Sequence, residues 1–375
     1  MRRVLLLGYF GAGNFGDDAL LADWLIRNGE WLRNQGLKAD ILCGQADPLG
    51  GFIESPALRE IVGRLVPKRT AITMPTRDYR AVIAPGGSLL QDASSLRSLL
   101  FYLWVIRRFA LSGVPVFLLH QGIGPLQSQI AKRLTPAVLR LVRLLSLRDQ
   151  SSYEWAMHQG GLRKHPHVYL SCDPILGATF SPYPDCPGLA SLPAEYLLAM
   201  PRPTGDLPYP GDRTEEPAAL AQCLAYAAKR TGLPVVLLPL HHGQDDAFCQ
   251  AVAEAGGPQM SVLALAPKEA HRASAIWQAI GGARLVISHR LHGLVSAASR
   301  DLPAMGVAYD PKVSAFCDGM GYPWCYPATV HEVQTLEKLD SLWEGREALQ
   351  QDVQARRLQS LKSLAFVEEQ LRELW

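Results

Sequence analysis

Short apolar runs ending in glycine- or histidine-bearing loops, each followed by a helix-period stretch, most restrict how this chain can fold. Val4–Leu7 reads as a buried strand, followed by a glycine turn and a helix over about 17–35. Asp40–Cys43, Ala81–Ala84 and Val114–Leu119 read as further strands. Leu96–Leu111 and Gln129–Leu145 read as helices, with Pro136 expected to break or restart the second. Such alternation implies a parallel sheet with crossover helices.

Pro182, Pro184, Pro187 and Pro193 then crowd one segment that cannot be a helix interior and marks a linker. A second alternation follows. Helices are expected over Ala218–Thr231, over Ala270–Ile280 and from His292, and strands over Pro234–Leu240, Arg284–Ser288 and Ala304–Tyr309. From about His331 to Trp375 the pattern is helical and charged, with no further strand. At 375 residues the chain is too long for one hydrophobic core. The expected architecture is α/β: two Rossmann-like domains with parallel sheets facing a cleft, over 1–185 and 186–335. A C-terminal helical tail, 336–375, is expected to pack back on the first domain. In such sheets ligands sit beyond the carboxyl ends of the strands.

Composition narrows the function classes. A net charge of only +2 gives no basic surplus for nucleic acid. The seven cysteines are odd in number and show no CxxC spacing, so they read as reduced, mostly buried thiols in a cytoplasmic protein. Met1–Leu7 imitates a signal peptide, but glycines interrupt it at once and Asp17-Asp18 follow, so a first strand fits better. No run of about 18 apolar residues suggests a spanning helix.

The loops carry the candidates. Gly11-Ala12-Gly13-Asn14-Phe15-Gly16 matches GxGxxG between strand and helix. Two aspartates, Asp17 and Asp18, stand where a pyrophosphate would meet the helix start, and negative charge there opposes phosphate. Asp17 is then either a helix cap or a functional carboxylate. Gly86, Gly87 and Ser88 form either a tight strand–helix turn or a loop through which backbone and free N–H groups at a helix start approach an anionic ligand, and His120-Gln121-Gly122 follows the same logic. Arg148 beside Asp149 is either a surface ion pair or a fork for a carboxylate or phosphate. The strongest local feature is Ser288-His289-Arg290-Leu291-His292, where imidazoles and a guanidinium converge after a strand. A metal there lacks an acidic or cysteine partner at ligand spacing. Lys312 adds a cation near the same edge, and His241-His242 follows another strand as a metal or sugar ligand or a solvated loop. Leu99–Arg108 is apolar almost all round, which suits core packing. The rival is a surface touching anionic lipid, with Arg107 and Arg108 at the headgroups and Lys132, Arg133, Arg140 and Arg143 nearby.

Taken together, Gly8–Asp18, Pro85–Asp92, Gln121–Pro125, Ser146–Asp149, Asp173-Pro174, Ser288–Leu294 and Tyr309–Lys312 resemble the polysaccharide pyruvyl transferase family, in particular its CsaB-type bacterial branch. That branch's Gly-Asp-Glu stands here as Gly16-Asp17-Asp18. The resemblance implies a GT-B-like fold and transfer of pyruvyl from phosphoenolpyruvate to a sugar diol, with phosphate leaving. It also implies a polymeric or lipid-linked envelope saccharide as acceptor. Within it, Asp17, His292 and Arg148 are the expected catalytic residues. Arg290, Leu291, Lys312, Gly86, Gly87, Ser88, Gln121, Gly122 and Asn14 are the expected substrate contacts, with no metal and no cofactor beyond phosphoenolpyruvate as co-substrate. Arg148 and Arg290 would clamp the donor's two anionic groups, His292 would protonate its methylene and Asp17 would take the hydroxyl proton; the acid and base roles are interchangeable. The competing classes are a nucleotide-sugar glycosyltransferase, a nicotinamide oxidoreductase and a non-catalytic saccharide-binding protein.

Overall fold

The computed structural model describes residues 3–44, 56–180, 187–204, 217–263, 265 and 273–375. The chain divides into two compact units. One comprises Met1–Ala12, Gly16–Pro174 and Ser360–Trp375; the other comprises Gly13–Phe15 and Ile175–Gln359. Pro182, Pro184 and Cys186 lie outside the described residues.

The strands of the first unit are β1 (Arg3–Phe10), β2 (Lys38–Cys43), β3 (Val62–Pro67), β4 (Tyr79–Ala84), β5 (Gly87–Leu90), β6 (Val116–Ile123), β7 (Leu144–Leu147) and β8 (Val168–Leu170). They pair in the order β3-β2-β1-β4-β6-β7-β8, all parallel, and β5 lies beside the far half of β6. Successive side chains of a strand point to opposite faces. Leu5 and Leu7 therefore join the core under helices α2 (Leu96–Leu111) and α3 (Gln129–Leu139), which follow α1 (Phe15–Asn34) in the chain. Val4 and Leu6 join the opposite core, with Trp24 and Leu25 of α1. Val367 and Leu371 of the last helix, Arg346–Glu373, complete that second face. Trp375 meets Trp31 edge-on at 4.6 Å and stacks on Phe117 at 6.0 Å. Arg27 joins Asp23 to Glu368, the latter bond 2.8 Å long.

Two local expectations are corrected. The helix from Gln129 ends at Leu139 instead of Leu145, because Leu144–Leu147 is the fully buried strand β7. Pro136 sits inside that helix without ending it. The Pro85-Gly86-Gly87 turn does not open a helix: β4 stops, Gly87 takes φ +106°, and the chain resumes as β5 against the extended end of β6. That switch of partner is marked within β6 by His120, whose φ of +51° is a strained value for a residue with a Cβ.

The second unit carries β9 (Leu197–Met200), β10 (Val235–Leu237), β11 (Met260–Val262), β12 (Leu285–Ser288), β13 (Ala304–Val307) and β14 (Trp324–Cys325), parallel in the order β11-β10-β9-β12-β13-β14. Helices α4 (Leu291–Ser299) and α5 (Pro311–Met320) follow β12 and β13. In each sheet the strand order reverses once, between β1 and β4 and between β9 and β12. A crevice opens beyond the carboxyl ends of the strands at such a reversal, and ligands of doubly wound sheets bind there.

Candidate active site

In the first unit the loops beyond the reversal gather most of the expected residues. The glycine loop closes on itself: the Gly11 N–H donates to the Asp18 carboxylate at 2.8 Å, and Asp18 is buried. A carboxylate thus occupies the backbone donor that a dinucleotide phosphate would need, which argues against that use of GxGxxG. Asp17 points elsewhere. A Cβ on Gly87 would lie 3.2 Å from its Oδ1, so the absence of a side chain there leaves room for the carboxylate.

Arg148, held by its backbone N–H to Gln121 O at 3.1 Å, donates from Nη1 to Asp173 at 2.9 Å and from Nη2 to Ser88 Oγ at 2.8 Å. Gly122 is the floor of this arrangement, since a Cβ there would come within 3.1 Å of Ser88 Oγ and 3.3 Å of the guanidinium. The Arg148 side chain is only 5% exposed, so it is a fixed buried cation rather than a reaching fork. Gly86 packs on Leu20 of α1. Gln121 is buried, and its amide donates to Leu119 O at 2.8 Å and Ala84 O at 3.4 Å. It shapes the loop through backbone carbonyls. His120 is wholly buried, with Nδ1 2.8 Å from Ser171 Oγ and its own N–H on Ser146 Oγ at 2.7 Å. Burial, aided by Arg27, pulls its imidazole down to about 3 against the charge of Asp173, so the ring is neutral.

Lys68 was missed by sequence reasoning. Its ammonium lies over the rings of Tyr9 at 4.9 Å, Tyr102 at 5.2 Å and Phe101 at 5.8 Å. Burial lowers its pKa while the charge of Asp17 opposes that shift, which places the two groups in one field. It sits in no motif, and the only cue in the sequence is its place directly after the strand Val62–Pro67.

The second unit builds a different cluster. Arg290 precedes α4 and is gripped by buried Asp245, through Nε at 2.9 Å and also through Nη2. Asp245 in turn accepts the His241 N–H at 2.9 Å. That acid lies 45 positions from Arg290, in a loop that the sequence leaves open between a metal or sugar ligand and a solvated turn. Gly293 lets α4 approach the sheet, since a Cβ would meet Ser288 Oγ at 2.4 Å. His289 and the Leu291 side chain are buried; Leu291 can therefore offer a ligand only its N–H in the first turn of α4. His292 is half-buried in the same turn. Asp310 caps α5 by accepting the Lys312 N–H at 3.0 Å and pairs with Lys312 Nζ at 3.0 Å. Arg202, also unforeseen, follows β9 and lies 4.4 Å from the centre of the Tyr309 ring. Burial raises the pKa of the Tyr309 hydroxyl, but Lys312, Arg202 and Arg290 outweigh it and hold the group below its usual range. Three cations thus set a positive field at the carboxyl ends of β9, β12 and β13. Asn14 belongs to this unit, bridged to His241, instead of the first unit where the sequence places it. His242 faces solvent beside Asp246. No group of His, Cys, Asp and Glu among the described residues could hold a metal ion.

The folding pattern defines a class. The chain aligns with a Siraitia grosvenorii UGT transferase solved with UDP, at 12% identity over 100% of both chains and a TM-score of 0.58. It aligns similarly with S. aureus MnaA bound to UDP (11%, 92% of this chain and 91% of that one, TM-score 0.59). A Methanocaldococcus jannaschii UDP-GlcNAc 2-epimerase gives 10%, 92% of both chains and a TM-score of 0.54. At these identities the likeness establishes the fold, a GT-B-like pair of parallel-sheet units with a C-terminal helix. The polysaccharide pyruvyl transferase model matches residues 14–311, most of the chain, including Asp17, Arg148, Arg290 and His292. The chain belongs to that family. No curated protein matches it.

Proposed function

We propose that this chain transfers pyruvyl from phosphoenolpyruvate to two hydroxyls of one sugar, on a cell-envelope or exopolysaccharide or its lipid-linked precursor, as in the CsaB-type branch. One sugar oxygen adds to C2 while the methylene gains a proton and becomes a methyl group. The second oxygen displaces phosphate, and a cyclic ketal remains. This chemistry needs no redox cofactor and no metal. The observation that carries the reading is the cationic field of Arg202, Arg290 and Lys312 around Tyr309, which suits a donor bearing both phosphate and carboxylate. His292, in the same unit, is the acid; Asp17 is the base. The two buried arginines, each paired to a carboxylate, act by fixed charge and by holding their loops. The reaction belongs in the cytoplasm, at the inner face of the membrane where a lipid-linked acceptor is presented.

A nucleotide-sugar glycosyltransferase is the second reading, favoured by UDP in structures of the same fold. The deciding experiment is phosphate release from phosphoenolpyruvate across a panel of soluble and lipid-linked glycans. Acceptor-dependent release with one ketal added to the product mass supports pyruvyl transfer. Thermal stabilisation by a nucleotide sugar, with no response to phosphoenolpyruvate, supports the other.

A further inference from the structure

Between Asp92 and Asp149 the chain has eight Lys and Arg residues and not one Asp or Glu, whereas at the chain average of 35 acids in 375 a stretch that long would hold about five. Helices α2 and α3 lie in this stretch and pack side by side on one face of the first sheet. Each buries one stripe and turns another outward. The outer stripe of α2 carries Phe101, Trp104 and Leu111, three to seven positions apart; that of α3 and its continuation carries Ile130, Leu134 and Leu141. All but the half-buried Phe101 are between 39% and 59% exposed. Exposed Arg97, Arg107, Lys132 and Arg133 are interleaved with them. The expectation that Arg108 reaches outward is corrected: it turns in, donating to Met74 O at 2.6 Å and Ala71 O at 3.3 Å. No helix among the described residues is long and apolar enough to cross a membrane.

We propose that the outer face of α2 and α3 docks on the surface of an anionic lipid bilayer. An apolar ridge holding a tryptophan, framed by cations and free of acids, matches the chemistry of that surface. Trp104 and the leucines enter the headgroup boundary while the arginines and lysine meet lipid phosphates. Elsewhere on a soluble chain an apolar ridge of this kind is a liability; here charge of one sign assigns its occupant. The surface goes beyond the pyruvyl-transfer reading and does not depend on it.

The test is flotation of the full chain with phosphatidylcholine vesicles, with and without roughly 30% phosphatidylglycerol. The protein is expected to float only with the anionic vesicles, and to be released by about 0.5 M NaCl. Two double variants separate the contributions: Trp104→Ser with Leu134→Ser, and Arg107→Glu with Arg133→Glu. Each is expected to weaken binding at least ~10-fold, with an unchanged melting temperature showing that it is folded. Absence of flotation overturns the proposal, as does equal flotation on neutral vesicles or unaltered binding by both variants. A stable dimer that the serine variant dissociates, without flotation, assigns the face to a second copy instead. Because no substrate is present, failure here leaves phosphate release with a soluble glycan as a separate result.

Discussion

The carboxyl ends of the two sheets are built to opposite electrostatic plans. In the first unit, among the described residues, Arg148 is matched by Asp173, the Gly11 N–H by Asp18 and Lys68 by the field of Asp17. In the second, only part of the positive charge is absorbed by Asp245 and Asp310, and the surplus favours the ionised form of a buried tyrosine, lowering its pKa. Balanced polar groups suit a neutral polyol and a proton acceptor. A net positive field suits an anion whose charge grows as its phosphate leaves. The family match takes in Arg148 and Arg290 alike, so the contrast between their surroundings is the part that the residues themselves add.

The sharpest way to break the contrast is at Asp17. Asp17→Asn is expected to lower kcat by ~10²–10⁴-fold, the range for a lost general base, with unchanged thermal stability. A near-wild-type rate would move the base elsewhere. Next in size is His120. The unfolded state protonates its imidazole near 6.5 while the native ring resists until about 3. The unfolded state therefore binds more protons in that window, so stability rises with pH through it and is complete above it, by on the order of 5 kcal/mol. Urea unfolding of wild type and His120→Gln at several pH values checks this; parallel curves would mean that the buried ring is not the cause. In the second unit, Asp245→Asn leaves a buried guanidinium without its counter-charge and is expected to cost ~3–5 kcal/mol of stability. A loss under 1 kcal/mol would show that Arg290 swings to solvent. The smallest effect is expected at half-exposed Lys312. Lys312→Met should raise KM for phosphoenolpyruvate about tenfold with less change in kcat, because it removes ground-state attraction for the anion. A change confined to the sugar's KM would reverse the assignment of the two units.

Much of this was legible because chemistry in doubly wound sheets falls just after strands, and glycine, histidine and arginine there are visible as breaks in apolar runs. The α/β class and its two alternations of strand and helix follow from the same pattern, whereas the order in which the strands pair does not. What escaped has physical reasons. The strand Leu144–Leu147 is so apolar that it extends the preceding helical period without a seam, and only the turn after Leu139 separates them. Gly86-Gly87 looks like the entry to a helix, yet the chain continues as a strand in which Leu89 and Leu90 are both buried, and that depends on the length of β6. Asp245 and Arg290 are partners only through the fold, and neither reveals the other along the chain. Lys68 and Arg202 lie in no motif, each following a short strand; what marks them is the aromatic rings they cover.

The composition of the first unit has a consequence for its birth on the ribosome. Residues 360–375 supply Val367, Leu371 and Trp375 to the face that Val4 and Leu6 share with α1. That face is covered only after residues 360–375 have been made, so a nascent chain stalled between α1 and Ser360 exposes a sticky half-core to which chaperones and proteases have access.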